Sequence, residues 1–351
     1  MIYFDNAAST PLCNAAKDVV IQDFANPSSP HALGLESERL IKNAAKDIAS
    51  ILGVKSNELI FTSGGTESNN LGILGVALAL KSAKGTSATI KIRYGKLEHP
   101  SVISPIKYLT GLPGFEIVDN ENEYADIICQ SQVSSETGDI FKVNKHPGSI
   151  LFIDGAQAFC KMRPPTDADI YSFSGHKIHA PMGVGGLVIR SGIKIKPQTF
   201  GGGQQRELRA GTENVNGIVA MAEAAKYFIA SDGDKRVRKI NSVMQSLVEE
   251  IPNTYINQLT SETSPYILSL SFPGLRGETL TNLLSARGLY VSMGTACQSA
   301  KKDRILHSLI GKERAESAIR LSFSYQNTED EAHMAKEIIK VAVAELRRSY
   351  K

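Results

Sequence analysis

The chain has no tryptophan, and its four cysteines are scattered: Cys13, Cys129, Cys160 and Cys297 among 351 residues. None sits in a CxxC pair or at metal-ligand spacing, so the sequence offers neither a disulfide framework nor a structural metal site, and reduced thiols are expected. Cys129 and Cys160 are flanked by apolar residues and read as small core hydrophobes. An excess of one charge is also missing. A formal net charge of +3 gives no electrostatic case for nucleic acid, and the densest basic run, Lys235 to Lys239, reads as the solvated start of a helix. Long hydrophobic runs are lacking too: the longest, Leu71 to Leu80, falls well short of the roughly 20 residues of a membrane span. No charged-then-apolar leader precedes Tyr3-Phe4-Asp5-Asn6, so a cytoplasmic protein is expected, without membrane or nucleic-acid partners. Internal repeats and low-complexity tracts are absent.

What remains is an ordinary globular composition, 42% hydrophobic and 21% charged, long enough for about two domains. Helical and strand signals alternate over the first two-thirds, which predicts an α/β architecture with a mainly parallel sheet. Leu40, Ile41, Ala44, Ala45, Ile48, Ile51 and Leu52 recur at helical spacing before Gly53. Glu58 to Thr62 reads as a strand, Ser63-Gly64-Gly65-Thr66 as a turn, and Glu67 to Leu80 as a helix. Ile150 to Ile153 is a buried-strand run ending at Asp154, and Gly183 to Ile189 is a strand whose glycines allow close backbone approach. After Ser231-Asp232-Gly233-Asp234 a long helix runs to about Glu250, and Thr328 with Glu331 opens a last helix at capping-box spacing. These features predict a large domain over 12–250 and a smaller α+β one over 251–351, joined by 1–11.

The most informative stretch is Ser172-Phe173-Ser174-Gly175-His176-Lys177, a lysine in a short turn between two strand-like runs. Such a lysine is either a solvated turn residue or an amine placed for carbonyl chemistry. Three further segments bear on the choice. Ser63 to Thr66, at a strand-to-helix turn, is an anion cradle or a plain tight turn. Asp154 at a strand end would pair with a pyridinium nitrogen or cap the next turn. His99, before Pro100, would lie against a ring and shuttle protons, or is a loop residue. Cys297, in the small, polar segment Met293 to Ala300, is an inert thiol or a mobile nucleophile.

The order of these segments resembles the cysteine desulfurases, a branch of the class V aminotransferases with the fold-type I pyridoxal phosphate architecture. The resemblance runs almost end to end. It includes Tyr3 to Thr10, Asn26 to His31, Phe61 to Ser68, Glu98-His99, Asp154 to Gln157 and Ser174 to Lys177, and continues through Gly201 to Gln205, Arg209 to Asn214, Ser292 to Cys297 and Ala318 to Ser322. It implies that Lys177 holds the pyridoxal phosphate aldehyde, that Asp154 pairs with the pyridine nitrogen, that Gln157 hydrogen-bonds the phenolic oxygen and that His99 lies against the ring. Gly65, Thr66, Ser174 and His176 would hold the phosphate. Thr212 would reach the phosphate of a neighbouring subunit, making the active unit a homodimer. Arg320 would clamp the carboxylate of an L-cysteine substrate. Cys297 would take the sulfur as a persulfide, leave alanine, and pass the sulfur to an acceptor such as an iron–sulfur scaffold or a tRNA-thiolation protein.

The pattern departs from the family in three places. Ser135 stands where an asparagine usually contacts cofactor and substrate. Ala180-Pro181-Met182-Gly183 replaces Gly-Pro-Lys-Gly. The region from Phe115 to Ile150 is compressed, with a helix missing or reduced to turns around Phe141 to His146, which would leave sheet surface for a partner. Alternatives consistent with these departures are a selenocysteine lyase or other β-lyase on the same scaffold, or a weakly active or non-catalytic cofactor-binding protein.

Overall fold

The computed structural model describes residues 1–293 and 305–349. The chain divides into two compact units: 11–132 with 142–230, and 1–10 with 133–141 and 231–351. The division expected at 250/251 therefore falls at 230/231, and residues 133–141 leave the larger unit. The reason lies in the helix Gly233–Gln245, which turns Val237, Ile240 and Met244 inward and packs along the helix Glu329–Ser349 of the smaller unit. The single long helix expected here is two pieces, the second being Leu247–Glu250.

The larger unit is built on a seven-stranded sheet in the spatial order Leu59–Thr62, Gly185–Ile189, Ile170–Ser174, Ile150–Asp154, Ile127–Ser131, Ile90–Tyr94 and Phe115–Ile117. Only Gly185–Ile189 runs against its neighbours; the other pairings are parallel. Strands covered on both faces need near-continuous apolar sequence. Accordingly Ile127, Ile128 and Cys129, and Leu151, Phe152 and Ile153, are all buried. The run 141–146 carries no helix. Its shortness nevertheless leaves these two strands buried on both faces, so they offer no sheet surface to a partner.

Helix boundaries follow local chemistry. Ala32–Leu52 starts ahead of Leu40, the first residue of its apolar spacing, because the His31 side chain accepts from the Gly34 N–H at 3.2 Å and caps it. It ends at Gly53, whose φ of 67° suits glycine. In the smaller unit the predicted capping box is present. Thr328 N–H donates to Glu331 Oε2 at 3.1 Å, and Glu331 N–H donates to Thr328 Oγ1 at 3.1 Å. That unit holds a four-stranded antiparallel sheet, Ser292–Met293, Ala318–Ser322, Ile267–Ser271 and Tyr255–Ile256. Among the described residues no helix is long and apolar enough to cross a membrane.

Candidate active site

Parallel strands that share a direction bring their carboxyl ends to one edge, where α/β sheets bind ligands. In this sheet the register sets Ser131 beside Asp154 and Asp154 beside Ser172, a row of buried polar side chains. Of the two readings the sequence left open for Asp154, the structure shows the turn cap. Its Oδ1 accepts from the Ala156 N–H at 2.9 Å and caps the following turn, while Oδ2 accepts from Asn69 Nδ2 at 2.8 Å. Asn69 lies in the first turns of the helix Gly65–Lys84 and is 1% exposed. Its second amide proton goes to Ser101 Oγ at 2.8 Å, and its Oδ1 accepts from Ser172 Oγ at 2.5 Å.

His99 is the N-cap of the helix Pro100–Thr110 rather than a plain loop residue. Its Nδ1 accepts from the Ser101 N–H at 3.1 Å and lies 2.7 Å from Ser101 Oγ. A lone pair on Nδ1 places the proton of the neutral ring on Nε2. Although His99 is exposed by surface area, surrounding protein crowds the ring. That desolvation, with the Lys177 ammonium, holds its pKa below the ordinary value against the opposing pull of Asp154.

Lys177 and His176 lie in the single turn Gly175–Lys177, directly after the strand Ile170–Ser174, and both are half-buried. Desolvation first, then Lys177 and Lys161, bring the His176 imidazole down to about 4. Facing this turn, the helix Gly65–Lys84 begins at Gly64-Gly65-Thr66, presenting first-turn N–H groups and the positive end of the helix dipole. A Cβ on Gly65 would lie 3.6 Å from Ser174 Cβ, so the Ser174 side chain borders this turn. Ser174 is 2% exposed and its hydroxyl has no hydrogen-bond partner among the described residues. The close approach expected at the glycines of the next strand is also explained. A Cβ on Gly185 would meet Gly64 Cα at 2.7 Å, and one on Gly186 would enter the Phe173 ring at 2.3 Å. Gln157 is buried in the turn after Asp154.

Two further buried groups here were given no role from the sequence. Glu98 accepts from Ser131 N–H at 2.8 Å, Ser131 Oγ at 2.6 Å and Gln130 Nε2 at 2.9 Å. Burial nevertheless pushes its carboxyl up to about 7 against the Ser131 hydrogen bonds, with Asp154 adding to the rise. His179, fully buried, donates from Nδ1 to the Pro11 carbonyl at 2.7 Å. Like Asn69 and Ser101, His179 shows no pattern in the sequence, because only the crossing of distant elements gives it a partner. Met182, at the position where the family carries lysine, is 72% exposed.

In the smaller unit, Arg320 lies on the strand Ala318–Ser322 and is 7% exposed. Its Nη2 donates to Asp5 Oδ1 at 2.9 Å and its Nη1 to the Ser135 carbonyl at 2.9 Å, while Nε is buried with no partner among the described residues. The Ser135 contact is therefore made by backbone, which any residue there would supply. Burial raises the neighbouring Glu136 carboxyl and the Arg320 charge pulls it back. Ser292 Oγ donates to the same Asp5 oxygen at 2.8 Å.

Thr212 is exposed in the loop before the helix Val215–Ala230, and no hydrogen bond of its side chain to the cradle residues is seen within this chain. Cys297 lies outside the described residues.

Comparison with known proteins gives the family and the fold. The family profile Aminotransferase class-V matches residues 2–334. The chain is 33% identical to a protein named cysteine desulfurase IscS from Dictyoglomus turgidum, covering 99% of this chain and 95% of that one. It is 32% identical to a putative cysteine desulfurase IscS 1 of Bacillus subtilis, covering 98% and 99%. A solved NifS-like protein superposes with a TM-score of 0.87 at 30% identity, covering 97% of this chain and 98% of that one.

Proposed function

The chain belongs to the class V aminotransferase family, and we propose that within it the protein is a pyridoxal-phosphate-dependent cysteine desulfurase that converts L-cysteine to L-alanine. One observation carries the reading. A half-buried lysine amine, a strand-end carboxylate and an N–H-lined turn bordered by an unpartnered buried hydroxyl meet at the carboxyl edge of one sheet. The donor set fits pyridoxal phosphate: Ser174 Oγ and the Gly65 and Thr66 N–H groups suit a phosphate, and Asp154 suits a protonated ring nitrogen. When bound, the cofactor supplies an aldehyde for the substrate amine and a sink for the electrons of the broken Cα–H bond.

The protein's own groups do the rest. Two N–H donors are fixed on the oxygens of Asp154, which orients the carboxylate that would pair with the protonated ring nitrogen. Lys177 Nζ would be the base that takes the Cα proton. His99 offers Nε2–H, and Gln157 the phenolic-oxygen contact. His176 joins Ser174 at the phosphate. Arg320 takes the substrate carboxylate, its buried Nε–H being an available donor. The Cys297 thiolate attacks the substrate sulfur. An S–S bond forms, the Cβ–S bond breaks with its electron pair remaining on the carbon fragment, and the enzyme holds a persulfide. An iron–sulfur scaffold or tRNA-thiolation protein then accepts that sulfur. A homodimer brings Thr212 of one copy to the phosphate of the other. The described cysteines are free thiols, which fits a reducing, cytoplasmic setting.

Purified protein loaded with pyridoxal phosphate should absorb near the violet edge and form alanine from L-cysteine. Cys297→Ser should keep the colour and abolish alanine. Colour without alanine, even with reductant and candidate acceptors, overturns the reading in favour of a cofactor-binding scaffold. Release of selenium but not sulfur by Cys297→Ser would favour a selenocysteine lyase.

A further inference from the structure

We propose that Asn69 is a positioning residue that links the ring-nitrogen carboxylate to the ring-facing imidazole, locking His99 in its Nε2–H form. The inference deepens the function proposed above and rests on it for its catalytic meaning, but the structural link stands on the side chains alone. Asn69 has two amide protons and one carbonyl oxygen available, and all are used. One proton goes to Asp154 Oδ2 and one to Ser101 Oγ, both at 2.8 Å, while Oδ1 accepts from Ser172 Oγ at 2.5 Å. Asp154 and Ser172 sit on adjacent strands at paired positions, Ser101 opens one helix and Asn69 another. Four separate elements therefore converge on one amide.

The direction of each hydrogen bond is fixed in turn. A carboxylate can only accept, so the amide nitrogen must face Asp154 and the oxygen must face Ser172. The other amide proton occupies a lone pair of Ser101 Oγ. That leaves the Ser101 hydroxyl proton for the neighbour 2.7 Å away, His99 Nδ1. With the Ser101 N–H directed at the same nitrogen, Nδ1 must be the acceptor and Nε2 the bearer of the proton. The Nε2–H form lets the neutral ring donate a hydrogen bond from the nitrogen that does not face Ser101. Asn69 thus sets the protonation pattern of a residue it does not touch. Apart from the amide itself, the charged groups acting on His99 are Asp154, which favours the imidazolium, and Lys177, which opposes it.

The test reads histidine protonation directly, in protein free of cofactor, by long-range proton–nitrogen correlation spectra with the His99 signal assigned by its loss in His99→Gln. Wild type should show the Nε2–H form of His99. Asn69→Leu, which keeps the volume and removes all three hydrogen bonds, should mix in the Nδ1–H form and raise the His99 pKa by about one, the size of one lost hydrogen bond. Ser101→Ala cuts only the arm to His99 and should do the same, while Ser101→Thr, which restores the hydroxyl, should return the wild-type spectrum. Ser101→Ala decides the matter if Asn69→Leu does not fold. In loaded enzyme the acidic limb of the kcat/KM profile should move upward in both disruptive variants. Unchanged tautomer and pKa in folded Asn69→Leu or Ser101→Ala overturn the link. Absence of alanine from wild type, with the spectra behaving as described, overturns the desulfurase reading and leaves the link intact.

Discussion

Arg320 is paired within the protein to Asp5: its Nη2 donates to Asp5 Oδ1 at 2.9 Å, across the 315 residues that separate them in sequence. With Nη1 on the Ser135 carbonyl, the guanidinium plane is set by two partners, and Nε is the guanidinium nitrogen without a partner among the described residues. A lysine cannot reproduce that fork. Arg320→Lys is therefore expected to raise KM for L-cysteine roughly 10- to 100-fold, the worth of a charged hydrogen bond. Asp5→Asn should act in the same direction but more weakly. Steady-state kinetics check both, and an unchanged KM in Arg320→Lys removes Arg320 from substrate binding.

Ser174 is a buried hydroxyl without a hydrogen-bond partner among the described residues. Such a group weakens the fold unless a ligand satisfies it. Ser174→Ala should leave the melting temperature of cofactor-free protein unchanged or higher, and weaken pyridoxal phosphate binding about 10-fold or more. Titration of the cofactor absorbance, set beside thermal melts, separates the two effects.

Glu98 gives stability a pH dependence. Its folded pKa of about 7 lies above the unfolded value, so between roughly pH 4.5 and pH 7 the native state binds a proton that the unfolded chain has lost. Stability must then fall as pH rises through this window, by a total of about 3 kcal/mol. Glu98→Gln is neutral throughout and keeps the shape. It should flatten this part of the profile and be the more stable protein at pH 8, as measured by urea denaturation at pH 5 and pH 8. A wild-type profile without the slope would mean that the carboxyl ionises freely.

Gly185 has no room for a methyl group, since its Cβ would stand 2.7 Å from Gly64 Cα and 2.6 Å from the Phe173 carbonyl. Both obstacles are backbone and cannot rotate away. Gly185→Ala should cost about 1–3 kcal/mol in denaturant titration and weaken cofactor binding by displacing the turn that forms the cradle. Full stability with unaltered binding would show that the turn relaxes freely.

The sequence by itself determined the α/β class, the strand–turn–helix placement of Ser63 to Thr66, the strand ending at Asp154 and the turn carrying Lys177. Each depends on hydrophobic period and turn chemistry within a few residues, which local sequence specifies. It also marked Arg320 and Cys297, through the order of their motifs. The domain boundary was misjudged at 250/251, because whether Gly233–Gln245 belongs with what precedes or follows it depends on which partner buries Val237, Ile240 and Met244. The compressed run before Ile150 suggested bare sheet, yet its flanking strands are covered. Tertiary structure alone decided the groups behind the site. Asn69 and Ser101 are unremarkable in sequence, Ser172 and Glu98 lie in marked segments without a role of their own, and all four acquire meaning only where helix starts and strand ends meet. A hydrogen bond between residues 85 apart, such as Asn69 to Asp154, leaves no periodic trace in the chain, because nothing local depends on it.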